Sequence, residues 1–244
     1  EACYDTWCID PRRFTSHANI EMTSLKAIED YQNEFRFHFP HEHRPAARLA
    51  KTTPLTPIMS NKNAEFTVIN GWERVEYIKP SKDFHPSFSF HFDEVFDIVA
   101  NEVKNIQTNV GLTEVNGFNR FEISGPDANG FVERIFCGNI TQKSGRVSLG
   151  YLLNDLGMIK SEATISNIPA SDRGPKRMWY GSAAASEFHD MDWLEQNINT
   201  DEDVEIRSLT NDQTILLIAG PKAREVLSKC SREDWSKEAF PWLS

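Results

Sequence analysis

The sequence lacks long apolar segments and is poor in positive charge. No run of about 18 apolar residues occurs, which excludes a membrane-spanning helix. No basic segment followed by an apolar one opens the chain, so we predict no secretion signal. The formal net charge of -10 repels phosphate backbones. We therefore expect neither a membrane nor a nucleic acid among the partners.

Cysteine is scarce, with four residues at Cys3, Cys8, Cys137 and Cys230 and no Cys-x-x-Cys pair. In a chain of 244 residues this pattern does not make a disulfide framework. A reducing compartment is the simplest explanation, and we predict a cytoplasmic location.

Three motifs of common cofactor and nucleophile sites are also missing. The chain contains no Gly-x-Gly-x-x-Gly, no P-loop and no Gly-x-Ser-x-Gly. It therefore offers no dinucleotide site, no nucleoside triphosphate site and no serine-hydrolase elbow. Flavin or nicotinamide chemistry would need a domain outside these residues.

What is present is enough apolar material for a folded core. Hydrophobic residues make up 39% of the chain and aromatic residues 11%, which favours a globular protein over a disordered one. The length fits one large domain or two smaller ones. The chain begins at Glu1 instead of Met and ends at Ser244, just after an acidic segment with tryptophan, so we expect a fragment of a larger protein.

Periodicity and turn signals predict strands that mix with single helices. Helices are predicted at 24–37, 92–110, 125–136, 187–198 and 220–230. Strands are predicted at 64–78 (a pair about Asn70-Gly71), 117–125, 145–153, 158–166, 176–184, 204–210 and 214–220 (the last two a pair about Asn211-Asp212). Residues 1–22 are predicted to be an irregular arm and 38–57 an ordered linker. The pattern indicates an α+β fold, with helices on one face of a mainly antiparallel sheet.

Two segments share the order strand, Gly-Pro, helix. They are 123–136, "ISGPDANGFVERIF", and 217–227, "LIAGPKAREVL". A weak internal duplication and the independent use of Gly-Pro to start a helix both explain the likeness, and the sequence leaves the two open.

Histidines and aromatic residues offer two further candidates for binding. His38, His41 and His43 could bind a divalent metal, but Pro40 breaks the helix that an i, i+4 ligand pair needs, so we predict a solvated loop without a metal. Seven aromatic residues between 72 and 96 could stack on a flat ligand. We favour core packing for most of them, because large apolar side chains are usually buried.

The segment 150–166 raises a functional question about one carboxylate, Glu162. Alternation about a turn at 154–157 places Ile159, Ser161, Ala163 and Ile165 on one strand face, and Met158, Lys160, Glu162 and Thr164 on the other. Glu162 is then either a charge on a solvated face or a carboxylate that lines a pocket beside Tyr151 and Trp179. In a pocket it would hydrogen-bond a heterocyclic amine or take its proton. Alternation alone favours the solvated face.

Taken in order, four segments resemble the glycine-cleavage T-protein family, a folate-binding aminomethyltransferase fold. The segments are 109–136, 145–165, 178–194 and 204–227. The upstream segments "DTWCIDPRRF", "RPAARLAKTTPL" and "NGWERVEYIKP" are more specifically similar to the tetrahydrofolate-dependent C-terminal part of dimethylglycine and sarcosine dehydrogenases. On this resemblance, residues 1–90 are a connecting region with the start of the T-protein-like fold, and 91–244 are the N-terminal half of the folate-binding domain.

The resemblance implies a division of labour between two parts of one polypeptide. A flavin domain outside these residues would carry FAD and oxidise an N-methyl amine. The T-protein-like part would bind tetrahydrofolate and capture the one-carbon unit. The alternative is a scaffold module that docks the flavin domain and performs no folate chemistry.

The resemblance also implies roles for single residues. Glu162 stands where the family has an aspartate that orients the folate amine and assists proton transfer, so it is the predicted catalytic residue. The residues predicted to bind tetrahydrofolate are Leu149, Tyr151, Trp179, Tyr180 and Glu187. The chain departs from the family at three positions, where Glu114 replaces an aspartate, Gly117 a histidine and Ala183 a pterin-contacting asparagine.

Overall fold

The computed structural model describes residues 6–171, 174–183 and 185–244. The helices are α1 (Ile20–Gln32), α2 (Thr56–Ser60), α3 (Glu94–Thr108), α4 (Ala128–Ile135), α5 (Glu187–Gln196) and α6 (Ala223–Cys230), and short 3-10 helices lie at Trp7–Ile9 and Pro11–His17. The strands are β1 (Ala64–Ile69), β2 (Trp72–Ile78), β3 (Gly111–Glu114), β4 (Asn119–Ser124), β5 (Phe136–Cys137), β6 (Val147–Leu153), β7 (Ile159–Ile168), β8 (Arg177–Ser182), β9 (Glu205–Ser208) and β10 (Leu216–Ala219). None of the helices in these ranges is long and apolar enough to cross a bilayer.

The chain divides into two compact units, each built from separated segments. The first unit comprises Glu1–Arg13, Gly117–Gln213 and Ser236–Ser244, and the second comprises Phe14–Asn116 and Thr214–Trp235. The boundary predicted between residues 90 and 91 falls inside the second unit, and the domain division stays a prediction.

The first unit is a six-stranded antiparallel sheet in the order β5-β6-β7-β8-β4-β9. Strand β8 shows why it forms, since Met178, Tyr180 and Ser182 are buried and alternate with less buried neighbours. Helices α4 and α5 cover the buried face, where Phe131, Val132 and Leu194 join the core. The predicted α+β fold, a mainly antiparallel sheet with helices on one face, is confirmed.

The second unit holds a hairpin and a two-stranded sheet. Strands β1 and β2 pair about Asn70 and Gly71, which both have positive φ and form the tight turn that the sequence predicts. Strand β3 pairs with β10 in antiparallel register. The carboxylate of Glu73, 2% exposed, accepts hydrogen bonds from Arg48 and from the Leu49 amide, which fixes the linker against the hairpin.

The predicted pairing of residues 204–210 with 214–220 is wrong. Strand β9 pairs with β4 in the first unit, whereas β10 pairs with β3 in the second. Asn211-Asp212 therefore marks a change of sheet and not a hairpin. Strand β3 itself has only four residues, too few for its alternation to be recognised in the sequence.

The prediction that most aromatic residues between 72 and 96 lie in the core is also wrong. Trp72 and Tyr77 are buried, at 7% and 4% exposure. Phe88, Phe90, Phe92 and Phe96 are all more than 40% exposed. Helix α3 has apolar residues at the helical spacing that predicted it, but its one aromatic residue, Phe96, is 53% exposed.

The boundaries of α1 also differ from the prediction. The helix begins at Ile20 because the Asn19 side chain accepts a hydrogen bond from the Met22 amide and so caps the first turn. It ends at Gln32, before the predicted end at 37, since the Asn33 amide closes the last turn on Glu29 and Asp30.

The two Gly-Pro segments adopt the same local geometry. Gly125 and Gly220 have φ values of +113° and +121° and each separates a strand from the helix that follows. A Cβ atom at Gly125 would lie 2.2 Å from the Asp203 carbonyl oxygen, and one at Gly220 2.5 Å from the Asn109 carbonyl oxygen. Both sites therefore require glycine for conformation and for space.

Gly125→Ala is expected to lower the free energy of unfolding by about 2–3 kcal/mol, since it combines positive φ with a backbone clash. Denaturant titration of Gly125→Ala and of the control variant, followed by circular dichroism, measures the change. The control is Gly157→Ala, where φ is also positive but nothing lies within 4 Å, so only about 1 kcal/mol is expected. Equal losses for the two variants would contradict the steric argument.

Candidate functional site

Glu162 lies on the uncovered face of the first unit's sheet, in the middle of β7. The β6–β7 hairpin forms because the Asn154 side chain accepts hydrogen bonds from the Leu156 and Met158 amides at the turn. In the register of the hairpin, Tyr151 stands opposite Glu162. Ala163 and Ile165 point to the helix-covered core, so Glu162 points away from it.

Tyr151 and Glu162 interact across the two strands. The bond to Glu162 raises the pKa of the Tyr151 hydroxyl above its ordinary value, and the charge of Glu162 adds to the shift. The Tyr151 hydroxyl is therefore the donor and the Glu162 carboxylate the acceptor. Both side chains lie on the open face of the sheet.

Leu149 and Trp179 share this face with the pair. Leu149, 53% exposed, stands opposite Thr164, and Trp179 stands opposite Ser166. Ser166, the residue opposite Trp179, lies four positions along β7 from Glu162. The two site residues are therefore about 13 Å apart in the strand direction. The predicted site residues thus lie along a strip of the sheet and do not form one contact cluster.

In the middle of this strip, one sheet position has no side chain. Gly181 stands opposite Thr164 and has no side chain above the sheet at this position. A Cβ atom added there would lie 3.0 Å from the Thr164 hydroxyl oxygen. A flat ring laid over Gly181 would have Leu149 beside it, with Trp179 and the Tyr151–Glu162 pair at opposite ends.

The buried Trp179 indole Nε1 tests whether such a ring fits. No acceptor among the described residues reaches this N–H. A donor at one end of the strip and a carboxylate acceptor at the other match a heterocycle that carries both acceptors and amine N–H groups. The residues present therefore fit a reduced pteridine.

Tyr180 and Glu187 do not lie with the other predicted residues. Tyr180, 1% exposed, is opposite Ile165 and faces the helix-covered core. Glu187 opens α5 on that same side and accepts a hydrogen bond from Ser208. Strand alternation separates adjacent residues such as Trp179 and Tyr180 onto opposite faces, so the structure corrects their predicted grouping in one pocket wall.

Lys160 also departs from the predicted face. Leu152 pairs with Ser161 and Leu153 with Ile159, so Lys160 is the extra residue of a β-bulge in β7. The Lys160 ammonium lies 5.5 Å from the ring centre of Trp193 on α5, while Ile159 is 65% exposed. The bulge thus exchanges the two residues between the faces that simple alternation assigns.

Sequence reasoning missed a buried carboxylate, Asp190, behind the strands that carry Glu162 and Trp179. Asp190 is 0% exposed and its Oδ2 accepts hydrogen bonds from Tyr180 at 2.6 Å, Ser182 at 2.5 Å and Ser161 at 3.0 Å. Its Oδ1 lies 3.0 Å from the His189 Nδ1. We call these five residues the Asp190 cluster.

The Asp190 cluster holds its carboxylate ionised. Burial by itself would raise the pKa of Asp190, but the hydrogen bonds, with that of His189 the strongest, outweigh it and lower the pKa. Burial and the neighbouring Asp190 charge raise the pKa of Tyr180 far above its usual range, so Tyr180 remains a donor. One sequence signal pointed here, because Ser161 stands among apolar residues on the strand face opposite that of Glu162.

The histidine cluster of the linker makes ordinary polar contacts. His38 Nε2 accepts a hydrogen bond from Arg44, and His41 and His43 both approach Glu76. Within residues 6–171, 174–183 and 185–244, no group of three or more potential ligands is arranged to hold a metal ion.

The three departures from the T-protein pattern lie at the ends of strands. Glu114 ends β3 in the second unit, and Gly117 follows with φ +94°. Ala183 follows β8 in the first unit. An alanine there supplies no side-chain amide to a ligand on the strip.

Two family models match the chain. The GCVT N-terminal domain model matches residues 55–244, and the FAD dependent oxidoreductase central domain model matches residues 1–53. The two matches adjoin within the linker.

Two of the curated proteins that resemble nearly the whole chain carry different names. Dimethylglycine dehydrogenase, mitochondrial, of Rattus norvegicus is 30% identical over 246 residues, which cover 100% of this chain and 28% of that protein. The pyruvate dehydrogenase phosphatase regulatory subunit, mitochondrial, of Mus musculus is 27% identical over 247 residues, which cover 98% of this chain and 27% of that protein. The chain thus spans less than a third of the length of these relatives.

A solved structure shares the fold. The glycine cleavage system aminomethyltransferase T from Bartonella henselae superposes with a TM-score of 0.57 at 20% identity, over 73% of this chain and 43% of that chain. At this identity the likeness extends to the fold alone.

Proposed function

Because the chain belongs to the GCVT N-terminal domain family, we propose that it is the tetrahydrofolate-binding, aminomethyltransferase-like portion of a flavin-dependent dimethylglycine or sarcosine dehydrogenase. In this proposal a flavin domain of the same polypeptide oxidises an N-methyl amine, and the present chain directs the released one-carbon unit to tetrahydrofolate. FAD belongs to the flavin domain.

One observation carries the proposal, namely a carboxylate opposite a tyrosine on the open strip of the sheet. Glu162 stands opposite Tyr151 on a face that the helices do not cover, and its charge and hydrogen-bonding capacity raise the pKa of the Tyr151 hydroxyl. The same strip offers the Tyr151 hydroxyl, the open position at Gly181 and the Trp179 indole N–H, which no acceptor among the described residues reaches. This combination suits a flat heterocyclic amine.

Each residue of the strip has a defined part in binding. Bound tetrahydrofolate would supply the amine nitrogens that accept the one-carbon unit. Glu162 would accept a hydrogen bond from such an amine and take up its proton, and Tyr151 would hold the carboxylate in place. Leu149 and Trp179 would contact the ring faces, and the Trp179 N–H would replace part of what the family's asparagine provides at Ala183.

Tetrahydrofolate binding to the complete flavoenzyme tests the proposal. Trp179→Phe removes the indole N–H and part of the aromatic surface, so we expect the dissociation constant to rise about 5- to 10-fold. Isothermal titration calorimetry measures it, with Trp235→Phe in the second unit as the matched control. Unchanged affinity in Trp179→Phe, or no saturable binding to the wild type, would overturn the proposed site.

A scaffold that docks the flavin domain without folate chemistry is the second candidate. Ala183 and Gly117 remove two polar side chains of the family pattern, and one relative is named a regulatory subunit. This candidate predicts no tetrahydrofolate binding but retained contact with the flavin domain.

The cellular location stays a prediction. Cysteine usage favours a reducing compartment, and the cytoplasm was predicted on that ground. Both curated relatives described above are named mitochondrial. Fractionation of the source cells would decide between the two compartments.

A further inference from the structure

The second unit contains a cavity of a size typical of small-molecule sites. Its volume is about 630 Å³, and such sites usually measure about 300–1,000 Å³. Residues of β2, α3, β3 and β10 line it. Glu162 and Trp179 belong to the other unit, so this cavity is not part of the proposed folate site.

The walls of the cavity are mainly apolar, and their charges have one sign. Leu112, Leu216 and Leu217 line it and are each more than 50% exposed, so its mouth presents aliphatic surface. Glu76, Glu102 and Glu114 also line it, whereas the described lining residues include no lysine, arginine or histidine. A ligand of positive charge with an apolar body complements these walls.

Two of the three carboxylates already have partners. Glu102 accepts a hydrogen bond from the Ile78 amide at 2.9 Å. Glu76 is hydrogen-bonded to His43 at 2.7 Å. Both carboxylates contribute negative charge to the cavity, but each already has a hydrogen-bond partner within the chain.

Glu114 differs from the other two. It is only 9% exposed, and no hydrogen-bond donor among the described residues reaches its Oε1. Its backbone is fixed opposite Leu216 in the β3–β10 pair, so the side chain cannot leave the wall without disturbing the sheet. A buried carboxylate oxygen without a donor is costly, and a ligand N–H would remove that cost.

We propose that this cavity binds an organic amine in its protonated form, with an N–H group donated to Glu114 Oε1 and an apolar body against the leucines. The unpartnered oxygen selects for N–H donors over quaternary ammonium groups, which offer none. The three carboxylates exclude anionic ligands such as carboxylates. The site is independent of the proposed folate chemistry.

A matched set of ligands tests the proposal on the 244-residue chain. Phenethylamine is protonated at neutral pH, and phenethyl alcohol, phenethyl trimethylammonium and phenylpropionate share its aromatic body. We expect phenethylamine to bind at least about tenfold more tightly than the other three, as a charge-assisted hydrogen bond warrants. Calorimetric titration at low and moderate salt measures the order.

Two variants locate the binding. Glu114→Gln keeps the shape but removes the charge, so phenethylamine affinity should fall about tenfold while that of the alcohol changes little. Glu205→Gln, on β9 of the other unit, should leave all four affinities unchanged. Circular dichroism checks that both variants are folded. If Glu114→Gln unfolds, Glu114→Asp replaces it, since this variant keeps the charge and shortens the side chain.

Three results would overturn the proposal. They are equal binding of amine and alcohol, undiminished amine binding in Glu114→Gln, and no saturable amine binding up to about 10 mM, which corresponds to less than about 2.7 kcal/mol of affinity. Because tetrahydrofolate binding and Trp179→Phe test the folate site separately, failure here leaves the proposed function standing.

Discussion

Replacing Asp190 with alanine is expected to lower the free energy of unfolding by about 3–5 kcal/mol. The substitution leaves the hydroxyls of Tyr180, Ser182 and Ser161 buried without their common acceptor. It also opens a void beneath strands β7 and β8, which the close-packed core fills poorly. Urea titration followed by tryptophan fluorescence measures the loss.

The matched control is Glu195→Ala, an exposed carboxylate on the same helix, which should change stability by less than about 0.5 kcal/mol. A loss below about 1 kcal/mol in Asp190→Ala would contradict the claim that the Asp190 cluster stabilises the sheet. The sign of the pH dependence follows from the lowered pKa of Asp190. Its contribution is present above the unfolded carboxyl value of about 4 and is lost as the pH falls through the lower folded value.

Glu162→Gln is expected to lower the rate of one-carbon transfer to tetrahydrofolate about a hundredfold in the complete flavoenzyme. The amide keeps the size and the contact with Tyr151 but cannot take up a proton. Amine oxidation at the flavin domain should be unaffected, so free formaldehyde should replace the folate product. Paired assays of amine consumption, formaldehyde and folate product measure this division.

Two further variants sharpen this experiment. Glu205→Gln alters a carboxylate on β9, an edge strand of the same sheet, and should leave transfer unchanged. Glu162→Asp installs the residue of the T-protein pattern and should retain most of the transfer rate. Unchanged transfer in Glu162→Gln would favour the scaffold candidate.

Much of the first unit could be predicted from local sequence signals. Strand alternation and the turn at 154–157 located the hairpin of Glu162, and its predicted strands correspond to β6 and β7. Pro126 and Pro221 marked the starts of two helices that are present as α4 and α6. These signals work because turn and helix-start residues act through their own backbone geometry.

Other features could not be predicted, because they depend on partners distant in sequence. Asp190 gains its role from Ser161, 29 residues away along the chain, and neither residue is unusual by itself. Lys160 changes face only because a bulge falls opposite Leu153. The apolar stripe of α3 was correct as a helix signal, but periodicity does not say whether another element covers it.

The sequence by itself determined the kind of protein this is, an α+β aminomethyltransferase-like chain, together with most of its helices and strands. Only the tertiary structure decided which face of the sheet is open, which strands join which sheet, and that Tyr180 and Glu187 lie away from Glu162. The physical reason is range, since local signals act over a few residues, whereas burial and hydrogen bonding are settled by contacts between segments that the fold brings together.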